Sequence, residues 1–441
     1  MSKVLWSLIN TGASQGLNAL LLILLGNLLA PDELGMYTAV MMAALHVGAL
    51  AVMKFGGAIV QRLNDASLKS ARQDYFVNGL GATLGMTLLV ALAAGLGRPL
   101  LADLFQVQDR ATLLWFVPPL VVVMSLRLFF EQCLEAGLQM KAKALINAGA
   151  GVLQLGIVGG CGLAHALGVA DVLWALCIGN AISAVGMGAL CLRQFGLTLR
   201  RLRIDLTGDL LRFTGWLHMG TVLVFLDQNV DIFLVNRFLP RSDLAVYGYA
   251  WRLGMLTIVL GTSISHVTFP LLSRCFSSGD IEGARRLYRM AVSVVFSVLS
   301  ILALAFLFHA EELIRLVLPD TYLGLLPPLL ILLPAIVAFG TFCSVGSIFA
   351  AMRSPQTAVW PLMIALVLNA GLSYWLIPQF GLVGAAAATS ASFLFRAFVG
   401  MALVEQRTRT GFPYARLALI FLGFVLALGL GRELTDYWLL K

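Results

Sequence analysis

The chain has 441 residues, of which 60% are hydrophobic and only 12% charged, with a mean hydropathy of +0.91. A soluble domain carries about 25% charged residues, so a soluble globular protein is excluded. The formal net charge of +8 raises nucleic acid as a partner, and the placement of the charges removes it.

Apolar segments follow one another at about 4–30, 36–60, 75–97, 112–134, 146–166, 171–192, 213–236, 244–271, 288–309, 324–351, 357–377 and 382–404, with a thirteenth at 414–431. Each is near or above the roughly 18 apolar residues that span a bilayer as a helix. A β-barrel would instead show alternating segments of about ten residues. The expected fold is an all-α polytopic membrane protein. No cleavable leader is read at the N-terminus, because the first apolar segment is long and polar-striped.

With the N-terminus in the cytoplasm, nineteen Lys and Arg fall on inner loops, among them Arg193, Arg200, Arg201, Arg203 and Arg212. Seven fall outside, and four lie at membrane depth. This asymmetry is the positive-inside pattern. The basic residues record topology, and no nucleic-acid partner is expected.

The chain repeats itself. "NLLAPDELGMY" (27–37) matches "NRFLPRSDLAVY" (236–247), "ARQDY" (71–75) matches "ARRLY" (284–288), and "GVADVLWAL" (168–176) falls opposite "GLVGAAAAT" (381–389). The offsets stay between 209 and 213. An even number of helices per repeat keeps both halves in the same orientation, the arrangement of parallel-repeat transporters. The expected organisation is an N-terminal six-helix lobe (1–195), a basic cytoplasmic linker (196–212), a C-terminal six-helix lobe (213–405), and an extra helix with its tail (406–441), the two lobes flanking a central cavity.

The four intramembrane cations are Lys54, Arg127, Arg252 and Arg396. A charge at the bilayer centre costs at least about 2.5–3.5 kcal/mol on insertion scales and marks a site by default. Lys54 and Arg252 have no acidic neighbour one helical turn away and are read as a cationic lumen for an anionic substrate. Arg127 has Glu131 one turn on and Glu135 beyond, so an internal salt bridge stands beside the lumenal reading. Arg396 is close enough to the cytoplasmic face to snorkel instead.

Asp227 and Asp231 are four residues apart, which puts them on one face of a continuous helix. Counting from the outer loop sets Asp231 at the depth of Arg252. Two readings stand: a structural ion pair between Asp231 and Arg252, and a carboxylate site that couples H⁺ or Na⁺ or gates by exchanging partners. Ser7, Thr11, Ser14, Gln15 and Asn18 form a polar stripe on the first helix. It lines an aqueous cavity and bonds sugar hydroxyls, or it glues helices together with Gly12 and Gly16 allowing close approach.

The six cysteines show no metal spacing and read as small packing residues. The five histidines form no paired-ligand pattern, and no cofactor is expected. No P-loop or nucleophile elbow occurs, so no enzyme activity is expected.

The sequence resembles the polysaccharide and O-antigen (oligosaccharidyl-lipid) flippases of the multidrug/oligosaccharidyl-lipid/polysaccharide exporter superfamily. The resemblance rests on "LLAPDELGMYTAV" (28–40), "LDQNVDIFLVNRFLPRSDLAVYGYAWRL" (226–253), "FPLLSR" (269–274) and "GLVGAAAATSASFLFR" (381–396). It implies two six-helix lobes and transport of a polyprenyl-pyrophosphate-linked glycan across the bacterial cytoplasmic membrane by alternating access. It also implies membrane lipids as partners, a polysaccharide polymerase with chain-length machinery alongside, and lumenal basic residues on helices 2 and 8 that match Lys54 and Arg252. The competing expectations are a multidrug exporter coupled to H⁺ or Na⁺, a membrane-embedded polymerase or ligase, and a scaffold for an assembly complex.

Overall fold

The computed structural model describes residues 2–51, 72–137, 139–196, 206, 208, 218–220, 222–352, 354 and 356–409. Lys54, most of the linker 196–212 and the segment 414–431 lie outside them.

The described residues are helical along the expected segments. The principal elements are α1 (Ser2–Leu28), α2 (Pro31–Ala51), α3 (Arg72–Leu96), α4 (Arg98–Leu104), α5 (Val117–Ala136), α6 (Met140–Ala164) and α7 (Val169–Phe195). There follow α8 (Val230–Phe238), α9 (Arg241–Ser277), α10 (Ile281–Val317), α11 (Leu326–Ala351) and α12 (Gln356–Thr408). Among the described residues, eight helices are long and apolar enough to cross a membrane, or nine if one broken pair is a single span. Leu88, Leu89, Leu92 and Leu96 stand exposed along one helix, as a lipid-facing surface requires.

The repeat seen in the sequence falls at matching structural positions. Pro31 opens α2, and Pro240 immediately precedes α9. Proline supplies a fixed φ and lacks the N–H that a helix start leaves unpaired anyway. Gly168 caps the start of α7, and its mate Gly381 interrupts α12 with φ 58° and ψ −134°. Without a Cβ, glycine enters that region at little cost. So α12 is two helices joined at Gly381, as the two expected segments 357–377 and 382–404 require.

The chain divides by contacts into two units. The first is Met1–Phe225 with Pro240–Ala245; the second is Leu226–Leu239 with Val246–Lys441. The first unit has a core of Phe76, Phe129, Phe130, Cys133, Leu134, Met187 and Cys191. Cys133 and Cys191 are packing residues here, as their setting suggested. The second has its own core, including Leu272, Tyr288, Val292, Phe349 and Val404. Lipid tails are as apolar as leucine, so such cores are held by close packing rather than by escape from water.

In the first unit α1 packs along α6. Among the described residues, the glycines of close approach between these two helices belong to α6. A Cβ at Gly151 would lie 2.8 Å from Leu17 Cδ1, and one at Gly162 would lie 2.7 Å from Leu28 Cδ1. Nothing among the described residues comes within 4 Å of a Cβ at Gly12 or Gly16.

Candidate functional site

The sequence places Asp227 and Asp231 on one helix face; the structure breaks the helix between them. A helical segment ends at Asp227, Gln228 and Asn229 form a turn, and α8 begins at Val230. Asn229 has φ −132° and ψ −4°, outside the helical region. The two acids therefore belong to separate segments, and each has its own partners.

Asp227 is fully buried and pairs with Arg396 of α12, whose side chain is only 3% exposed. Arg396 Nη1 donates to Asp227 Oδ2. The guanidinium also lies 4.8 Å from the ring centroid of Phe339 and 4.7 Å from that of Phe393, and those two rings stack at 5.0 Å. A delocalised, weakly hydrated cation beside two aromatic rings tolerates burial that an ammonium would resist. Arg396 does not snorkel.

Asp231 is 1% exposed. Its Oδ2 accepts from Tyr247 Oη at 2.7 Å and from Thr389 Oγ1 at 2.8 Å, and its Oδ1 accepts from the Ile232 N–H at 2.8 Å. Thr389 Oγ1 also lies 3.5 Å from Asn369 Oδ1, which accepts from Ser373 at 3.1 Å. Asn369 Nδ2 is buried with no partner among the described residues. The expected pairing of Asp231 with Arg252 is not formed: hydroxyls and a backbone N–H surround the acid instead. The result is one buried carboxylate held by two hydroxyl donors and a backbone N–H.

Arg252 is half-buried in α9 and makes no ion pair among the described residues. Arg127 is likewise half-buried in α5. Its two candidate acids are taken by another cation. Lys143 Nζ contacts Glu131 Oε1 at 2.8 Å and also pairs with Glu135. Asn147 Nδ2 extends this group to Glu131 at 3.4 Å and to Asn10 Oδ1 at 3.2 Å. Lys143 is only 9% exposed. Of the polar stripe on α1, Thr11, Ser14 and Gln15 are half-buried and Asn18 is exposed, while the side chain of Ser7 lies outside the described residues.

Sequence reasoning missed Tyr247, Asn369, Ser373 and Thr389. The signal was there: each is a polar residue inside an apolar run ("NAGLSYW", "AAAATSASF") or in the repeated Tyr of "DLAVY". What the sequence could not supply was the approach of the α8, α9 and α12 positions to one another.

The fold is that of two-lobed membrane transporters. The chain aligns with the lipid II flippase MurJ in an inward closed conformation over 98% of its length and 93% of that chain, with a TM-score of 0.76 and 15% identity. It aligns with an inward-facing multidrug resistance MATE family transporter over 91% of its length and 98% of that chain, with a TM-score of 0.70 and 15% identity. The profile of a family described as "Polysaccharide biosynthesis protein" matches residues 24–327, and the chain belongs to that family. Among curated relatives, the probable low-salt glycan biosynthesis flippase Agl15 of Haloferax volcanii is 24% identical over 43% of this chain and 40% of its own length. The teichuronic acid biosynthesis protein TuaB of Bacillus subtilis is 21% identical over 68% of this chain and 61% of its own. The match thus spans less than two thirds of these relatives.

Proposed function

We propose that this protein carries a polyprenyl-pyrophosphate-linked oligosaccharide across the bacterial cytoplasmic membrane by alternating access, without chemistry on the substrate. The observation that carries the reading is the pair of half-buried arginines in apolar helices, Arg127 and Arg252, that have no carboxylate partner among the described residues. An intramembrane guanidinium in that state calls for an anion, and pyrophosphate offers the bidentate, charge-assisted bonds that stabilise it. Lys54 joins them in this reading, with the polar residues of α1 taking sugar hydroxyls, the tail remaining in lipid, and the N-terminus in the cytoplasm. The flippase named among the relatives and the lipid II flippase fold support the substrate class. A polysaccharide polymerase and chain-length machinery are the partners that would use the product.

In the same proposal Asp231, with Tyr247 and Thr389, takes the coupling ion, H⁺ or Na⁺. The membrane potential contributes about 2.3 kcal/mol per charge per 100 mV to any net charge movement. A drug exporter for organic cations fits the fold equally well, but its substrate would be repelled by Arg127 and Arg252. The test is flipping of a lipid-linked oligosaccharide in vesicles holding the purified protein. Arg252→Ala and Arg127→Ala are expected to lose flipping while remaining folded in the membrane. Normal flipping in both variants defeats the reading.

A further inference from the structure

The turn between α6 and α7 joins two membrane spans and so lies at a membrane face. Three side chains meet there: Cys161 on the last turn of α6, His165 at its C-cap, and Asp171 in the first turn of α7. Their sulfur, nitrogen and oxygen donor atoms lie within 4.8 Å of one another. The spacing Cys-x3-His-x5-Asp resembles no pattern that sequence reading recognises, because the third donor arrives across a turn.

Backbone bonds hold the turn and one of the three donors. The His165 N–H donates to the Cys161 carbonyl at 2.9 Å, and the Asp171 carboxylate accepts from the Gly168 N–H at 2.9 Å. His165 Nδ1 donates to the Ala166 carbonyl at 3.0 Å and stands 3.9 Å from Asp171 Oδ2, so the ring must leave that carbonyl to present Nδ1, or offer Nε2, to an ion. Cys161 is a free thiol. The His165 side chain is 54% exposed, so its ring has room to turn.

We infer that Cys161, His165 and Asp171 bind a zinc ion. A mixed S, N and O donor set suits Zn²⁺ and not Mg²⁺ or Ca²⁺, which take oxygen ligands. Bonds of about 2.0–2.3 Å to a tetrahedral ion set donors about 3.5 Å apart. Rotation of the exposed imidazole closes the difference. The thiol gives up its proton to water on binding. Thiolate and carboxylate then balance the two positive charges of the ion, with imidazole neutral. The exposed side of the turn leaves the fourth position to water. The ion ties the end of one span to the start of the next, and the site is independent of the transport reading.

The test uses the full, untagged chain purified in detergent and titrated with Co²⁺ as a spectroscopic stand-in for Zn²⁺. One equivalent is expected to give a thiolate-to-cobalt charge-transfer band that Zn²⁺ then abolishes. The band is expected to be lost in Cys161→Ser and in His165→Ala. Absence of the band in the parent protein, or its survival in either variant, overturns the site.

Discussion

Thr389 donates its hydroxyl to Asp231 at 2.8 Å across 158 positions of sequence. Tyr247 donates to the same oxygen at 2.7 Å. The two donors hold one carboxylate oxygen from two different helices, and the acid lies between them out of solvent.

Removing either donor therefore changes how tightly Asp231 holds its ion, with a sign that depends on the ion. Tyr247→Phe and Thr389→Val each delete one charge-assisted bond, worth about 1.5–3 kcal/mol. In the proposed coupling role, either variant is expected to shift the ion dependence by about tenfold or more, since 1.4 kcal/mol is a factor of ten: towards more Na⁺ where the hydroxyl oxygens are its ligands, and towards less H⁺ where the carboxylate takes a proton, because the lost donor stabilised its charged form. The measurement is flipping rate against Na⁺ at fixed pH and against pH at fixed Na⁺. Unchanged dependence on both ions in both variants would remove Asp231 from the coupling role.

The buried Asp227–Arg396 pair is expected to matter for stability when only one partner is removed. Arg396→Ala leaves a carboxylate buried without its cation, and Asp227→Ala leaves the cation without its carboxylate. Breaking such a pair from one side costs about 3–5 kcal/mol, whereas replacing both partners with apolar groups of similar volume is often neutral. The double variant Asp227→Leu with Arg396→Met is expected to unfold closer to the parent than either single change does. Thermal unfolding in detergent checks this. Single variants as stable as the parent would show that the pair contributes nothing.

Lys143 neutralises two acids at once. Lys143→Met is expected to destabilise the first unit, because Glu131 and Glu135 then face each other half-buried without a cation. Lys143→Arg is expected to restore most of the loss, since a guanidinium serves two carboxylates well. If Lys143→Met matches the parent in thermal unfolding, the cluster is not holding α5 to α6.

Gly35 is where the backbone of Arg241 comes closest to α2: a Cβ there would sit 2.6 Å from the Arg241 carbonyl carbon. The same Arg241 pairs with Asp109 and donates to the Gln106 carbonyl at 2.8 Å, and the neighbouring Arg110 pairs with Glu33 at 2.6 Å. Backbone cannot retreat as a flexible side chain can. Gly35→Ala is expected to lower the unfolding temperature measurably, whereas Gly12→Ala, with no neighbour within 4 Å of its Cβ among the described residues, is not. Equal unfolding temperatures for the two variants would contradict this packing.

The helices, the repeat and the polar positions inside apolar runs were legible in the chain itself. Bilayer length and helical period are local properties, and the mates Pro31/Pro240 and Gly168/Gly381 mark helix boundaries by their own backbone chemistry. Partner choice was not local. Spacing alone put Asp227 and Asp231 on one face, and offered Arg252 as a partner for Asp231 and Glu131 as a partner for Arg127. Folding broke the helix at Gln228–Asn229, gave Asp227 to Arg396, enclosed Asp231 in hydroxyls and brought Lys143 to Glu131. Which charge meets which depends on the rotation and depth of each helix against its neighbours, and those are set by side-chain packing along its whole length.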